Sequence, residues 1–227
     1  MNYDTVNQFP IIEGWCHQLF SENRSLTLKQ LARKTGDLLR ALGHPVKIKT
    51  HKDPMLDSGV IVLSAEYRPD LDEAGKERYM SIDIIVSTDD EGSIRLDTYY
   101  LRNFPLELVE VLVHEYRHRE QFRARDFLDD ADFSSNEIDA HQKQQQEYLG
   151  MPGEIDAFAA NIAVRLFLNF NKGARLLLKT PSNLPYEFSP DLYGYISAFG
   201  TDHAVVKRLL RKIVKHLDAL SEQSKSV

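Results

Sequence analysis

Two histidines four residues apart, His114 and His118 in VLVHEYRHREQ (111–121), stand on either side of a glutamate, Glu115. On an α-helix residues i and i+4 project from one face a turn apart, so both imidazoles can reach one metal ion. Zn2+ suits them, because it takes nitrogen and oxygen ligands in a tetrahedral shell. Glu115 stands about 100° round the helix from His114, at the edge of that face. From there its carboxylate can miss the ion and still reach a metal-bound water. Zinc brings the pKa of such a water to about 7, and the carboxylate would take its proton as the oxygen attacks a carbonyl. One short segment thus supplies two ligands and a general base. The same residues also read as a charged helix end. Arg117, Arg119, Glu120, Arg123 and Arg125 follow the first histidine, and Glu115 with Arg119 would then form an i, i+4 surface pair.

The elements that must position these groups can be read from periodicity. SLTLKQLARKTGDLLRALGHP opens at Ser25 with a capping residue, and its apolar positions Leu28, Leu31, Ala32, Leu38, Leu39 and Leu42 recur at helical spacing before Gly43 and Pro45 end it. Strand-like runs follow: VKIKTH from Val46, GVIVLSAEY from Gly59, YMSIDIIVS from Tyr79 and SIRLDTYYL from Ser93. The last two flank TDDEG, which reads as a hairpin turn. From Pro105, a suitable first helical residue, PLELVEVLVHEYRHREQFRAR has no breaker, and its apolar first half predicts a buried helix carrying the histidine motif. DFLDDADFSSNEIDAHQKQQQEYLG is a polar connection or loose helix. MPGEIDAFAANIAVRLFLNFNKG and, after a Pro-containing loop, TDHAVVKRLLRKIVKHLDAL are helical. Strands followed by helices predict an α+β domain. We expect a single domain over 1–227, with a helical part at 1–44, a small mixed or antiparallel sheet at 45–103, the metal-binding helices at 104–171 and further helices at 172–227.

Composition narrows the function classes. A chain of 227 residues, 42% hydrophobic, can bury a core unaided. One cysteine, Cys16, excludes a disulfide framework and a thiolate-rich zinc site. A formal charge of −6 argues against a protein that coats nucleic acid, although KRLLRKIVKH from Lys207 is locally basic. No apolar run is long enough to span a membrane, and MNYDTVNQFPIIEG lacks the basic start of a secretory signal. The expectation is a cytoplasmic protein, with viral origin equally compatible.

VLVHEYRH resembles the metal-binding helix of the zincin metallopeptidases, departing from it in the charged residues Arg117 and Arg119. A catalytic zinc takes three protein ligands and leaves a position for water. The zincin branch with a third histidine is excluded, because Gln121 and Ala124 occupy the required positions. GEIDAFAANIA is similar to the ligand helix of the gluzincin-like branch and of small intracellular or phage-encoded HExxH proteins such as the ImmA/IrrE-like group. The resemblance implies Glu154 as the third metal ligand, on a helix whose Ala157, Ala159 and Ala160 permit close packing. Asp156 is the adjacent alternative, more suited to a histidine N–H, and Asp202 in GTDHAV is a weaker one. Asp126, Asp129, Asp130 and Asp132 match no calcium loop, and His141 reads as exposed. An oxyanion-stabilising group would come from Tyr148, Tyr193, Tyr195 or His203. In zincins a strand before the motif helix binds peptide along its edge, which places substrate on SIRLDTYYL.

The expected function is a zinc-dependent peptidase acting on a protein or peptide. The alternative is a catalytically silent zincin-fold binding or structural protein.

Overall fold

The runs predicted at Val46, Gly59 and Tyr79 form one mixed three-stranded sheet. The structure is a computed structural model and describes residues 4–22, 25–57, 59–87, 94–95, 98–126, 141–170, 173–181, 186 and 189–225. Its internal contacts divide the chain into Asn2–Arg119 and Glu120–Val227.

The first unit contains α1 (Asp4–Asn7), α2 (Phe9–Glu22), β1 (Ser25–Leu26), α3 (Leu28–Ala41), β2 (Val46–Asp53), β3 (Ile61–Tyr67), α4 (Pro69–Glu73), β4 (Met80–Ser87) and β5 (Ile94–Arg95). The long helix α5 (Thr98–Ala124) begins here and runs through the division. Strand order is β2-β4-β3, with β2 parallel to β4 and β3 antiparallel to it. Met80, Ile82, Ile84 and Val86 alternate along the central strand and are all buried. One face of that strand therefore meets the core, as period-2 patterning requires.

Helix α3 starts later than its first polar residue suggested. Thr27, rather than Ser25, is the N-cap: its hydroxyl accepts from the Gln30 amide, and the Gln30 side chain accepts from the Thr27 amide. This reciprocal arrangement satisfies two donors that a helix start otherwise leaves unpaired. Ser25 and Leu26 instead pair with Arg95 and Ile94. Helix α2 lies in the part of the chain expected to be helical, and buries Ile12, Cys16, Leu19 and Phe20 at i, i+4, i+7 and i+8.

Among its described residues SIRLDTYYL is strand at Ile94–Arg95, which pairs with β1. Residues 98–101 already belong to α5, so Pro105 lies inside that helix and does not begin it. A proline there removes one backbone bond and costs about 3 kcal/mol in a helix interior. Tyr100, Phe104, Leu108 and Leu112 are buried at four-residue spacing around it. At about 1.5–3 kcal/mol for each large apolar side chain, their burial outweighs the break. The predicted TDDEG turn and residues 127–140 lie outside the described residues.

The second unit contains α6 (His141–Gly150), α7 (Pro152–Phe170), α8 (Ala174–Leu177), α9 (Pro190–Phe199) and α10 (Ala204–Gln223). Helix α7 is buried nearly all round from Ile155 to Leu166 and packs most extensively on α10, which buries Val206, Leu209, Ile213, Leu217 and Leu220. The small side chains Ala157, Ala159, Ala160 and Ala163 are fully buried and let neighbouring backbones come close. The whole is an α+β protein with a small sheet and mostly helices. Among the described residues no helix is long and apolar enough to cross a membrane.

Candidate metal centre

The buried run Leu108, Val109, Leu112 and Val113 leads α5 straight into the histidine motif. His114 is 9% exposed and Glu115 6%, so both reach the interior where polar groups need partners. The Nε2 atoms of His114 and His118 stand 3.0 Å apart, their rings nearly perpendicular. Helical i, i+4 geometry has thus aimed two nitrogens at one point, as the spacing predicted.

Glu115 is held from the sheet side. The backbone N–H of Tyr67, last residue of β3, donates to its Oε2 at 2.6 Å. Strand register accounts for the direction. Arg68 N–H donates to the O of Tyr79, the residue just before β4, so the neighbouring amide of Tyr67 points to the opposite edge of β3. A carboxylate has two oxygens and about four acceptor sites, so accepting one N–H does not exhaust it.

The adjacent Tyr116 secures the helix on its other side. Its hydroxyl meets His44 Nδ1 at 3.0 Å, while His44 Nε2 meets Gln8 Oε1 at 2.7 Å. Gln8 donates its amide N–H to Leu42 O, so its oxygen is the atom facing His44. His44 therefore carries its proton on Nε2 and accepts from the Tyr116 hydroxyl on Nδ1. Burial lowers the His44 pKa from 6.5 to about 4 and raises that of Tyr116 to about 12.

Arg119 does not make the predicted surface pair with Glu115. Its Nε and Nη2 bind Asp72 Oδ2 and Oδ1 at 2.9 and 3.2 Å, and its guanidinium lies 4.3 Å above the Tyr79 ring. Arg119 is thus engaged with a buried carboxylate, whereas Arg123, one turn on, is exposed. Asp72 and Tyr67 escaped the sequence reading, because Asp72 looks like an ordinary first-turn carboxylate of a short helix.

In the second unit Glu154 occupies the first turn of α7. Gln121, in the last turns of α5, donates its side-chain N–H to Gly153 O at 3.0 Å and so anchors the residue before Glu154. A Cβ at Gly153 would meet the Gln121 oxygen at 3.1 Å, so that side chain would have to give by a few tenths of an ångström. Asp156 does face inward, but its Oδ1 takes Lys212 Nζ at 2.8 Å and lies 3.5 Å from His216 Nε2. It pins α10 to α7.

Among the described residues, one group of three or more His, Cys, Asp or Glu side chains could hold a metal ion: His114, His118 and Glu154. One ligand atom from each lies within 4.8 Å of the others. No family model, curated protein or solved structure matches this chain.

The remaining candidates separate by environment. Tyr193 is 53% exposed and packs edge-on to Tyr186; Tyr148 is 43% exposed. His203 caps α10 by accepting the Val205 amide. Tyr195 alone of the four is buried, at 1% exposure, and its hydroxyl has no hydrogen-bond partner among the described residues. Burial, followed by the Glu154 carboxylate, pushes its ionisation well up, which places the phenol in the field of Glu154. Asp202 is fully exposed beside Lys207. Asp129, Asp130, Asp132 and the side chain of His141 lie outside the described residues. Two cations of the basic helix, Lys207 and Lys212, face Asp202 and Asp156.

Proposed function

We propose that this chain is a zinc-dependent peptidase of zincin-like fold, with His114, His118 and Glu154 as metal ligands and Glu115 as the general base. The convergence of those three ligand side chains carries the reading. The donor set fits the ion. Two nitrogens bound to tetrahedral zinc at about 2.0–2.1 Å stand roughly 3.3 Å apart, and the two Nε2 atoms are 3.0 Å apart. Two neutral imidazoles and one carboxylate leave a coordination position for water, the composition of a catalytic and not a closed structural site.

Zinc, when bound, would supply a Lewis acid for the scissile carbonyl and an acidified water. The chain's own groups do the rest. Glu115, one residue from a ligand, accepts the water's proton and later returns it to the leaving amine. Substrate approaches along the outer edge of β3. β3 is an edge strand of its sheet, and its outward amide at Tyr67 already reaches Glu115. An extended peptide lying on that edge would bring its carbonyls past the base.

The test is the metal content of the purified protein. Wild type is expected to carry close to one zinc per chain, as measured by plasma mass spectrometry, and His118→Ala close to none. Metal-free wild type after refolding with excess zinc would sink the reading. A catalytically silent binding protein is the second reading. It is favoured by the short Tyr67 contact, which gives Glu115 a structural task, and is separated from the first by hydrolysis assays of Glu115→Gln.

A further inference from the structure

We infer that Asp72 and Arg119 are positioning residues for Glu115, acting through Tyr67. The inference rests on Glu115 being the base.

A glutamate side chain has three rotatable bonds, and a general base must hold its oxygen within hydrogen-bond reach of one proton. Tyr67 fixes one Glu115 oxygen through its amide at 2.6 Å. That anchor is only as steady as residue 67, which ends β3 where the chain turns into the five-residue α4. The other end of the same residue supplies the steadiness. The Tyr67 hydroxyl donates to Asp72 Oδ2 at 2.8 Å. Asp72, its carboxylate side chain 2% exposed, is gripped by the Arg119 fork at 2.9 and 3.2 Å. Arg119 lies four residues after Glu115, on the same face of α5.

The contacts close a ring: Glu115, Tyr67 amide, Tyr67 phenol, Asp72, Arg119, and back along one turn of helix to Glu115. Helix α5 thus holds the Tyr67 backbone directly and its side chain by way of Asp72. Tyr79 braces the ring from outside, its face under Arg119 and its ring edge-on to Tyr67 at 6.1 Å. The fork is planar and bidentate, so it fixes the orientation of Asp72 as well as its place. A lysine would keep the charge and lose that orientation.

A ring of this kind could serve stability alone, so the test must read the contact itself. The amide proton of residue 67, followed by NMR in the full chain, reports the hydrogen bond to Glu115 directly. It is expected far downfield in wild type and displaced upfield in Glu115→Gln, where the acceptor is no longer charged. Asp72→Asn and Arg119→Lys are expected to move it in the same direction, although neither touches that bond. Tyr67→Phe keeps the amide, removes only the hydroxyl, and serves if the other variants fold poorly. With the zinc-loaded protein and a quenched-fluorescent peptide that it cleaves, Asp72→Asn is expected to lower kcat about tenfold with KM within about twofold. The same change made in Glu115→Gln is expected to cost nothing further. An amide unmoved by Asp72→Asn, Arg119→Lys and Tyr67→Phe, while Glu115→Gln moves it, would overturn the positioning role. So would equal losses in both backgrounds. Full hydrolysis by Glu115→Gln would instead remove the base and leave the ring a structural brace.

Discussion

Glu115→Gln is expected to lower peptide hydrolysis by about 10^2–10^4-fold, the usual contribution of a positioned general base, with metal content unchanged. The substitution is chosen for what it preserves. A glutamine has the same length, and its amide oxygen can still accept the Tyr67 N–H that Glu115 now takes at 2.6 Å. The fold around β3 and α5 therefore stays intact, and the metal ligands His114, His118 and Glu154 are untouched. What disappears is the capacity to take up a proton at neutral pH. Parallel measurement of zinc content, melting temperature and cleavage of a quenched-fluorescent peptide pool separates the outcomes. Unchanged zinc with cleavage at the wild-type rate would exclude Glu115 as the base. Unchanged zinc with no cleavage by wild type itself would favour the silent binding protein.

The second large effect concerns acid. His44 is 5% exposed, uncharged, and its pKa is lowered from 6.5 to about 4 by burial. An unfolded chain takes up a proton at this histidine as pH falls through 6.5, whereas the folded chain resists until about 4. Between those values the unfolded state binds more protons, so stability rises with pH and is lost as pH falls. Each tenfold change in proton affinity is worth 1.36 kcal/mol, and the loss across the window amounts to about 3 kcal/mol. Denaturant titrations at pH 7, 5.5 and 4 should show His44→Gln losing about that much less than wild type over the same range. At pH 7 the variant starts lower, because Tyr116 and Gln8 lose their shared partner. Equal acid slopes for both proteins would show that His44 charges without cost.

The motif itself was legible because its geometry is local. Four residues on a helix fix two histidines on one face whatever the rest of the chain does, and the buried lead-in from Leu108 to Val113 follows from apolar side chains alone. Glu154 was pointed to by the resemblance of GEIDAFAANIA to a ligand helix, since a carboxylate in a first helical turn is common by itself. β2, β3 and β4 were likewise visible in their alternation. Elsewhere the deciding partners are distant in sequence. Nothing near Arg119 announces Asp72, and nothing near Asp156 announces Lys212 and His216. The aromatic and β-branched residues of DTYYL favour a strand by propensity. Burial of Tyr100 and Phe104 on one side of a long helix overrides that preference. Pairing order is equally non-local, since β5 takes β1 and leaves β4 to β2.

That pairing of β2 with β4 bears on how the chain is made. Val46 has to wait for Met80, and Asp53 for Ser87, before either finds its hydrogen-bonding partner. β3 leaves the ribosome in the interval and is not that partner. Parallel pairing across so long a stretch of chain forms slowly, so β2 spends that time as an unpaired edge, open to other nascent chains. Lys47, Lys49 and Lys52 punctuate it. Charges of one sign set along an edge discourage two such strands from joining. β2 stays an edge strand in the finished order β2-β4-β3, so the same lysines guard that edge before β4 arrives and after it.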